Sequence, residues 1–136
     1  MKNSIKIILI SLLSLGLVTG CGKEKTKEEN NKQDTIVNTN EGVIKDQEVE
    51  GLKMTNTSLI YENGISTLIT EVSNNTGVDY NLNEFNITVK DANGNVITTL
   101  KGYVEGTIPN GEIRTINTSS DLDLSKATSI EYSISK

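Results

Sequence analysis

Few residues in this chain have side chains able to do chemistry, and their spacing sorts them. Histidine is absent and cysteine occurs once, at Cys21. Imidazole general bases, histidine metal ligands and Cys-His or Ser-His-Asp arrangements are therefore excluded. A solitary thiol in an exported chain pairs with another molecule, stays reactive, or is consumed by modification. Asp91-Ala92-Asn93-Gly94-Asn95 opens like a calcium loop, but the glycine comes too early and no bidentate Glu stands at the closing position. It reads as a β-turn. Asp121 and Asp123 flank Leu122; two carboxylates alone are too few for a cation and read as a solvated face. Ser133-Ile134-Ser135-Lys136 has the Ser-x-x-Lys spelling of penicillin-interacting enzymes. It alternates along a terminal strand instead of opening a helix, and the partner motifs are missing. The aromatic residues Tyr61, Tyr80, Phe85, Tyr103 and Tyr132 would stack on sugars if two or three shared an exposed face. Scattered one per strand, they read as core and rim. No catalytic, cofactor-binding or metal-binding residue is expected, and no cofactor.

The elements that must position these residues begin with an address. Lys2 and Lys6 precede a 12-residue apolar run from Ile7 to Val18, broken only by Ser11, Ser14 and Gly16. That is too short to cross about 30 Å of hydrocarbon as a permanent helix and has the layout of a signal peptide, residues 1–20. Val18-Thr19-Gly20-Cys21-Gly22 then resembles the lipobox of bacterial lipoproteins. The resemblance implies that Cys21 receives a diacylglycerol thioether and becomes the first residue after cleavage. Two acyl chains, at about 0.8 kcal/mol per buried CH₂, anchor stably where one does not. The alternative is ordinary secretory cleavage that leaves a free thiol. The lipid reading also accounts for the solitude of Cys21. It places the protein on the extracytoplasmic face of the cell membrane.

Residues 21–46 read as a lipidated Cys followed by a linker. From Gly22 to Asp46 there are five Lys and six acidic residues, with apolar side chains only at 36, 37, 43 and 44. Such a composition does not bury enough surface to offset the entropy of ordering, so a disordered tether is expected. Its span as a flexible chain is roughly 25 to 30 Å. Val43-Ile44 is a candidate for a short lead-in strand.

From Gln47 to Lys136 the texture is β-branched and punctuated by turn signals. Leu52 to Tyr61 and Ile65 to Ser73 read as strands around Glu62-Asn63-Gly64, whose Asn-Gly suits a hairpin. Phe85, Ile87 and Val89 alternate with Asn86, Thr88 and Lys90. Asp91 to Asn95 reverses the chain into Val96 to Leu100, and Ile108 to Glu112 reverses it again around the single Pro. Ile113 to Ser119 is a strand, Leu122 to Ala127 a short helical turn, and Ile130, Tyr132 and Ile134 alternate in a closing strand. About seven strands at this spacing predict an all-β fold, a single immunoglobulin-like β-sandwich over 47–136.

Ile69 to Asn74, Phe85 to Gly94 and Ile108 to Glu112 resemble signals of small Ig-like modules in lipoproteins of Gram-positive bacteria, especially the FxLYD-type and telokin-like groups. Thr70 stands where those groups carry Gly, and Asn110 separates Pro109 from Gly111. The resemblance implies a surface-exposed interaction module without catalytic residues. The net charge of 13 − 18 = −5 lacks the basic footprint of a nucleic-acid binder. From Gln47 onward the balance is 6 − 12 = −6, which favours a basic protein partner over anionic wall polymers. The expected function is thus a non-catalytic protein-interaction module on a lipid anchor, with an envelope or extracellular protein as partner. The alternative is a carbohydrate or cell-wall-binding module, which a coplanar pair of exposed tyrosines would favour.

Overall fold

The computed structural model describes residues 34–135. The expected signal peptide, Cys21, the linker up to residue 33 and Lys136 lie outside the described residues. In chain order the elements are β1 (Ile36–Val37), the single-turn helix α1 (Glu41–Ile44), β2 (Gln47–Val49), β3 (Leu52–Glu62), β4 (Ile65–Asn74), β5 (Tyr80–Lys90), β6 (Val96–Ile108), β7 (Ile113–Ser120) and β8 (Ser129–Ser133). One antiparallel sheet runs β3-β4-β7, with β1 and β2 both paired to the outer side of β3; the other runs β6-β5-β8. Met54, Leu59, Leu68, Val72 and Ile116 of the first sheet share one core with Phe85, Ile87, Val89, Leu100, Ile130 and Tyr132 of the second. This is the all-β sandwich expected from the sequence, with seven of the strands, β2 to β8, lying after residue 46.

The turns follow from local chemistry. Asn63 and Gly64 both have positive φ, 57° and 83°, between the paired residues Glu62 and Ile65. That conformation matches the right-handed twist of a two-residue hairpin, and Asn-Gly adopts it at the least steric cost. Glu50 and Gly51 repeat it between Val49 and Leu52, with φ of 52° and 87°. The alternation in β5 holds: Phe85, Ile87 and Val89 are fully buried while Asn86, Thr88 and Lys90 are half-buried. Opposite Phe85, Gly102 leaves room for the ring; a Cβ there would lie 2.6 Å from Cζ.

Four stretches differ from the sequence reading. The folded unit begins at Asp34, so residues 34–46 belong to the sandwich and not to a disordered tether. Val43 is completely buried in the core. Asn38 Nδ2 donates to the carbonyls of Ser125 and Ala127 at 3.1 and 2.8 Å. Asn40 caps α1 by accepting the Gly42 N–H. A few anchoring contacts order a segment whose mean composition is polar. β2, Gln47–Val49, pairs with β3 in place of the lead-in strand anticipated at Val43-Ile44. β6 continues past Leu100 to Ile108, turning through a bulge where Glu105 and Gly106 have positive φ. The helical turn expected over 122–127 is reduced to one hydrogen-bonded turn, the Ala127 N–H donating to the Leu124 carbonyl at 3.1 Å, while Ser66 Oγ donates to the Leu122 carbonyl and accepts the Leu124 N–H, holding the start of the segment as an irregular loop.

Candidate functional site

An open cleft of about 620 Å³ is lined by Glu50, Tyr80, Leu82, Asn83, Glu84 and Ile134 among others. The tight β2–β3 turn carries Glu50, and the first residues of β5 supply Tyr80 and Glu84. Tyr80 Oη donates to Glu50 Oε1 at 2.9 Å. Partial burial, reinforced by the hydrogen bond to Glu50 and its charge, pushes the phenol above its ordinary value. The hydroxyl therefore stays protonated and donating at neutral pH. Glu84 forms an ion pair with Lys101 across the β5–β6 ladder. The wall is rich in acceptors, suited to hold hydroxyls, amides or cations.

The residues singled out in the sequence separate in space. Asp91 Oδ1 accepts the N–H groups of Asn93 and Asn95 at 2.8 and 2.9 Å, so this carboxylate closes its own turn. Asp123 accepts the Ser125 hydroxyl and N–H at 2.6 and 2.9 Å. Those bonds, the hydroxyl's first, hold its carboxyl below the ordinary range. Asp121 is exposed nearby. No group of three or more metal-ligating side chains occurs among the described residues. Ser133 ends β8, Ser135 Oγ accepts from Asn86, and Lys136 lies outside the described residues. Phe85 and Tyr132 meet edge to face in the core, with ring centroids 5.9 Å apart. Tyr61 and Tyr80 are half-buried, and Tyr103 is 63% exposed on β6. Among the described residues no two exposed rings pair.

A second candidate is a strand edge. The free side of β3 is taken by β1 and β2. The N-terminal segment covers β8: Gly42 bridges to Ser129, and Gln47 Nε2 donates to the Ile130 carbonyl at 2.9 Å. The edge of β6 is interrupted by its bulge and carries Lys101 and Glu105. β7 has no bulge and no strand or segment laid along it among the described residues. It pairs with β4 in unbroken register from Ser66↔Ser120 to Ser73↔Ile113, and no further strand pairs with it among the described residues. Ile113, Thr115, Asn117 and Ser119 are exposed along it. Its one charge, Arg114, donates to the Thr107 carbonyl and to Glu112. An edge of unpaired backbone groups is a template for another strand.

Sequence reasoning missed both features. Glu50-Gly51 between alternating runs was the available signal for the turn that builds the cleft, yet Glu is rare at positive φ. The edge status of β7 depends on which strands pair, which no local pattern encodes. No protein-family model, curated protein or solved structure matches the chain.

Proposed function

We propose that this protein is an extracytoplasmic lipoprotein, anchored through diacylglycerol on Cys21, whose sandwich is a non-catalytic protein-interaction module. The open edge of β7 carries the reading. Longer than the two- and three-residue outer strands β1 and β2, it offers main-chain hydrogen bonds to an extended segment of a partner. The excess of 12 acidic over 6 basic residues from Gln47 onward favours a basic segment. The small Ig-like modules that the sequence resembles are surface interaction domains, in keeping with this role. The carbohydrate-binding alternative draws less support, because Tyr103 stands exposed without a second ring beside it among the described residues.

Two experiments address the two halves. A photo-crosslinking side chain at Thr115 in the full-length protein, in its own cells, is expected to give a discrete adduct that disappears with Asn117→Lys. An adduct unchanged by the added charge, or none, overturns the β7 reading. Cys21→Ala is expected to abolish labelling by a fatty-acid analogue and to release the protein from the membrane fraction. Label retained by the variant overturns the anchor.

A further inference from the structure

Three Asn-Gly pairs occur in turns of the described residues: Asn63-Gly64, Asn93-Gly94 and Asn110-Gly111. Such pairs are prone to deamidation, because glycine leaves its own amide nitrogen unhindered for attack on the preceding side chain. All six residues are exposed, so exposure does not rank them. The hydrogen bonds do. The attacking group is the glycine amide nitrogen, which must lose its proton and swing onto the asparagine Cγ. Gly94 N–H donates to the Asp91 carbonyl at 3.0 Å, and the Asn93 N–H is held by the Asp91 carboxylate. Gly111 N–H donates to the Asn74 carbonyl at 2.6 Å, and Asn110 Oδ1 accepts the Gly77 N–H at 2.8 Å. At both sites the nucleophile is engaged and its surroundings are tied down. Gly64 N–H donates to no acceptor among the described residues.

The geometry points to Asn63 as the site of spontaneous modification in this protein, with water as the co-reactant. The deprotonated Gly64 nitrogen bonds to Asn63 Cγ, and the Cγ–Nδ2 bond breaks with loss of ammonia, leaving a succinimide. Water then adds to one imide carbonyl or the other and opens the ring to aspartate or isoaspartate. No oxidant or reductant is required. Isoaspartate routes the main chain through the former side chain, adding a carbon to a loop that joins Glu62 directly to Ile65 in register. Either product puts a new carboxylate beside Glu62, whose own carboxylate accepts the Thr35 hydroxyl just before β1. The modification therefore strikes the end of the sheet where the N-terminal segment joins it.

The test is prolonged incubation of the full-length protein at mildly alkaline pH, with peptide mapping by mass spectrometry and isoaspartyl methyltransferase labelling at intervals. Conversion at Asn63 is expected to run severalfold ahead of Asn93 and Asn110. The same measurement in denaturing urea is expected to bring the three rates together, because only the fold distinguishes them. Equal rates in the native protein, a faster Asn93 or Asn110, or the same ranking with and without urea would each overturn the assignment.

Discussion

Tyr132 is the clearest case of a side chain whose polar end decides its surroundings. Its ring packs against Phe85 in the core, and its hydroxyl meets Thr57 Oγ1 at 2.9 Å, which in turn meets Thr70 Oγ1 at 2.8 Å. The bulge in β3 between Thr55 and Ser58 turns Thr57 inward. Buried hydroxyls are tolerable only when paired, and the two threonines retain each other when the third partner is removed. Tyr132→Phe is therefore expected to cost only about 1 kcal/mol. Burial pushes the Tyr132 phenol above its ordinary 10.0. A folded-state pKa above the unfolded one makes the neutral form's stability fully present below the unfolded value. That stability is lost as pH rises through the folded value. Urea midpoints of the wild type should thus fall more steeply above about pH 10 than those of Tyr132→Phe. A parallel decline in both would show that this hydroxyl is not the group responsible. At the neighbouring position in the ladder, Ile87 faces Leu100 and Tyr132 and is fully buried, while Thr88 faces outward. Ile87→Ala is expected to cost about 2 to 5 kcal/mol and Thr88→Ala little. Equal urea midpoints for the two would contradict the alternation.

At the scale of elements, the N-terminal segment has the least regular structure and a large structural effect. Gly42 is at ordinary φ, but a Cβ there would stand 2.2 Å from the Thr128 carbonyl oxygen. Gly42→Ala should push α1 off β8 and cost about 1 to 3 kcal/mol, the range for forcing atoms into filled space. Glu41→Ala, one residue earlier and exposed, should leave the urea midpoint nearly unchanged. If the two variants behave alike, the close approach at Gly42 does not matter. This segment was illegible in the sequence for a physical reason. Two strand residues, one helical turn and a single buried Val43 set up no periodicity, and side-chain contacts to residues 124–127 order it from far along the chain. By contrast β3, β4 and β5 were legible, because Asn63-Gly64 and Asp91 fix reversals locally and β5 alternates over its buried half. β6 runs on past the expected Leu100 through Gly102, which accommodates Phe85, and Gly106, which makes a bulge. Of the candidate sites, the turn roles of Asp91 and the core roles of Phe85 and Tyr132 were readable. The cleft at Glu50 and the edge of β7 arise only from the assembled topology.

For the whole molecule, the decisive quantity is where the cooperative unit begins. Composition places the boundary at Gln47 and treats everything from Gly22 to Asp46 as removable at a cost within about 0.5 kcal/mol. Geometry divides that stretch. Gly22 to Gln33 contains no large apolar residue, so a chain beginning at Asp34 should keep the urea midpoint of the full-length protein. Deleting through Asp46 also removes Val43 from the core, Asn38 from the carbonyls of residues 124, 125 and 127, and the cover over the edge of β8. A fully buried aliphatic side chain alone is worth about 1.5 to 3 kcal/mol, and each buried carbonyl stripped of its donor adds to the loss. Against a total stability of about 5 to 15 kcal/mol, that deletion should lower the midpoint sharply and can abolish cooperative unfolding. It would also bare β8, giving the second sheet an edge as open as that of β7, so self-association should accompany the instability. Sedimentation of the two truncated chains separates these effects. A monomeric, equally stable chain beginning at Gln47 would return the boundary to where composition put it.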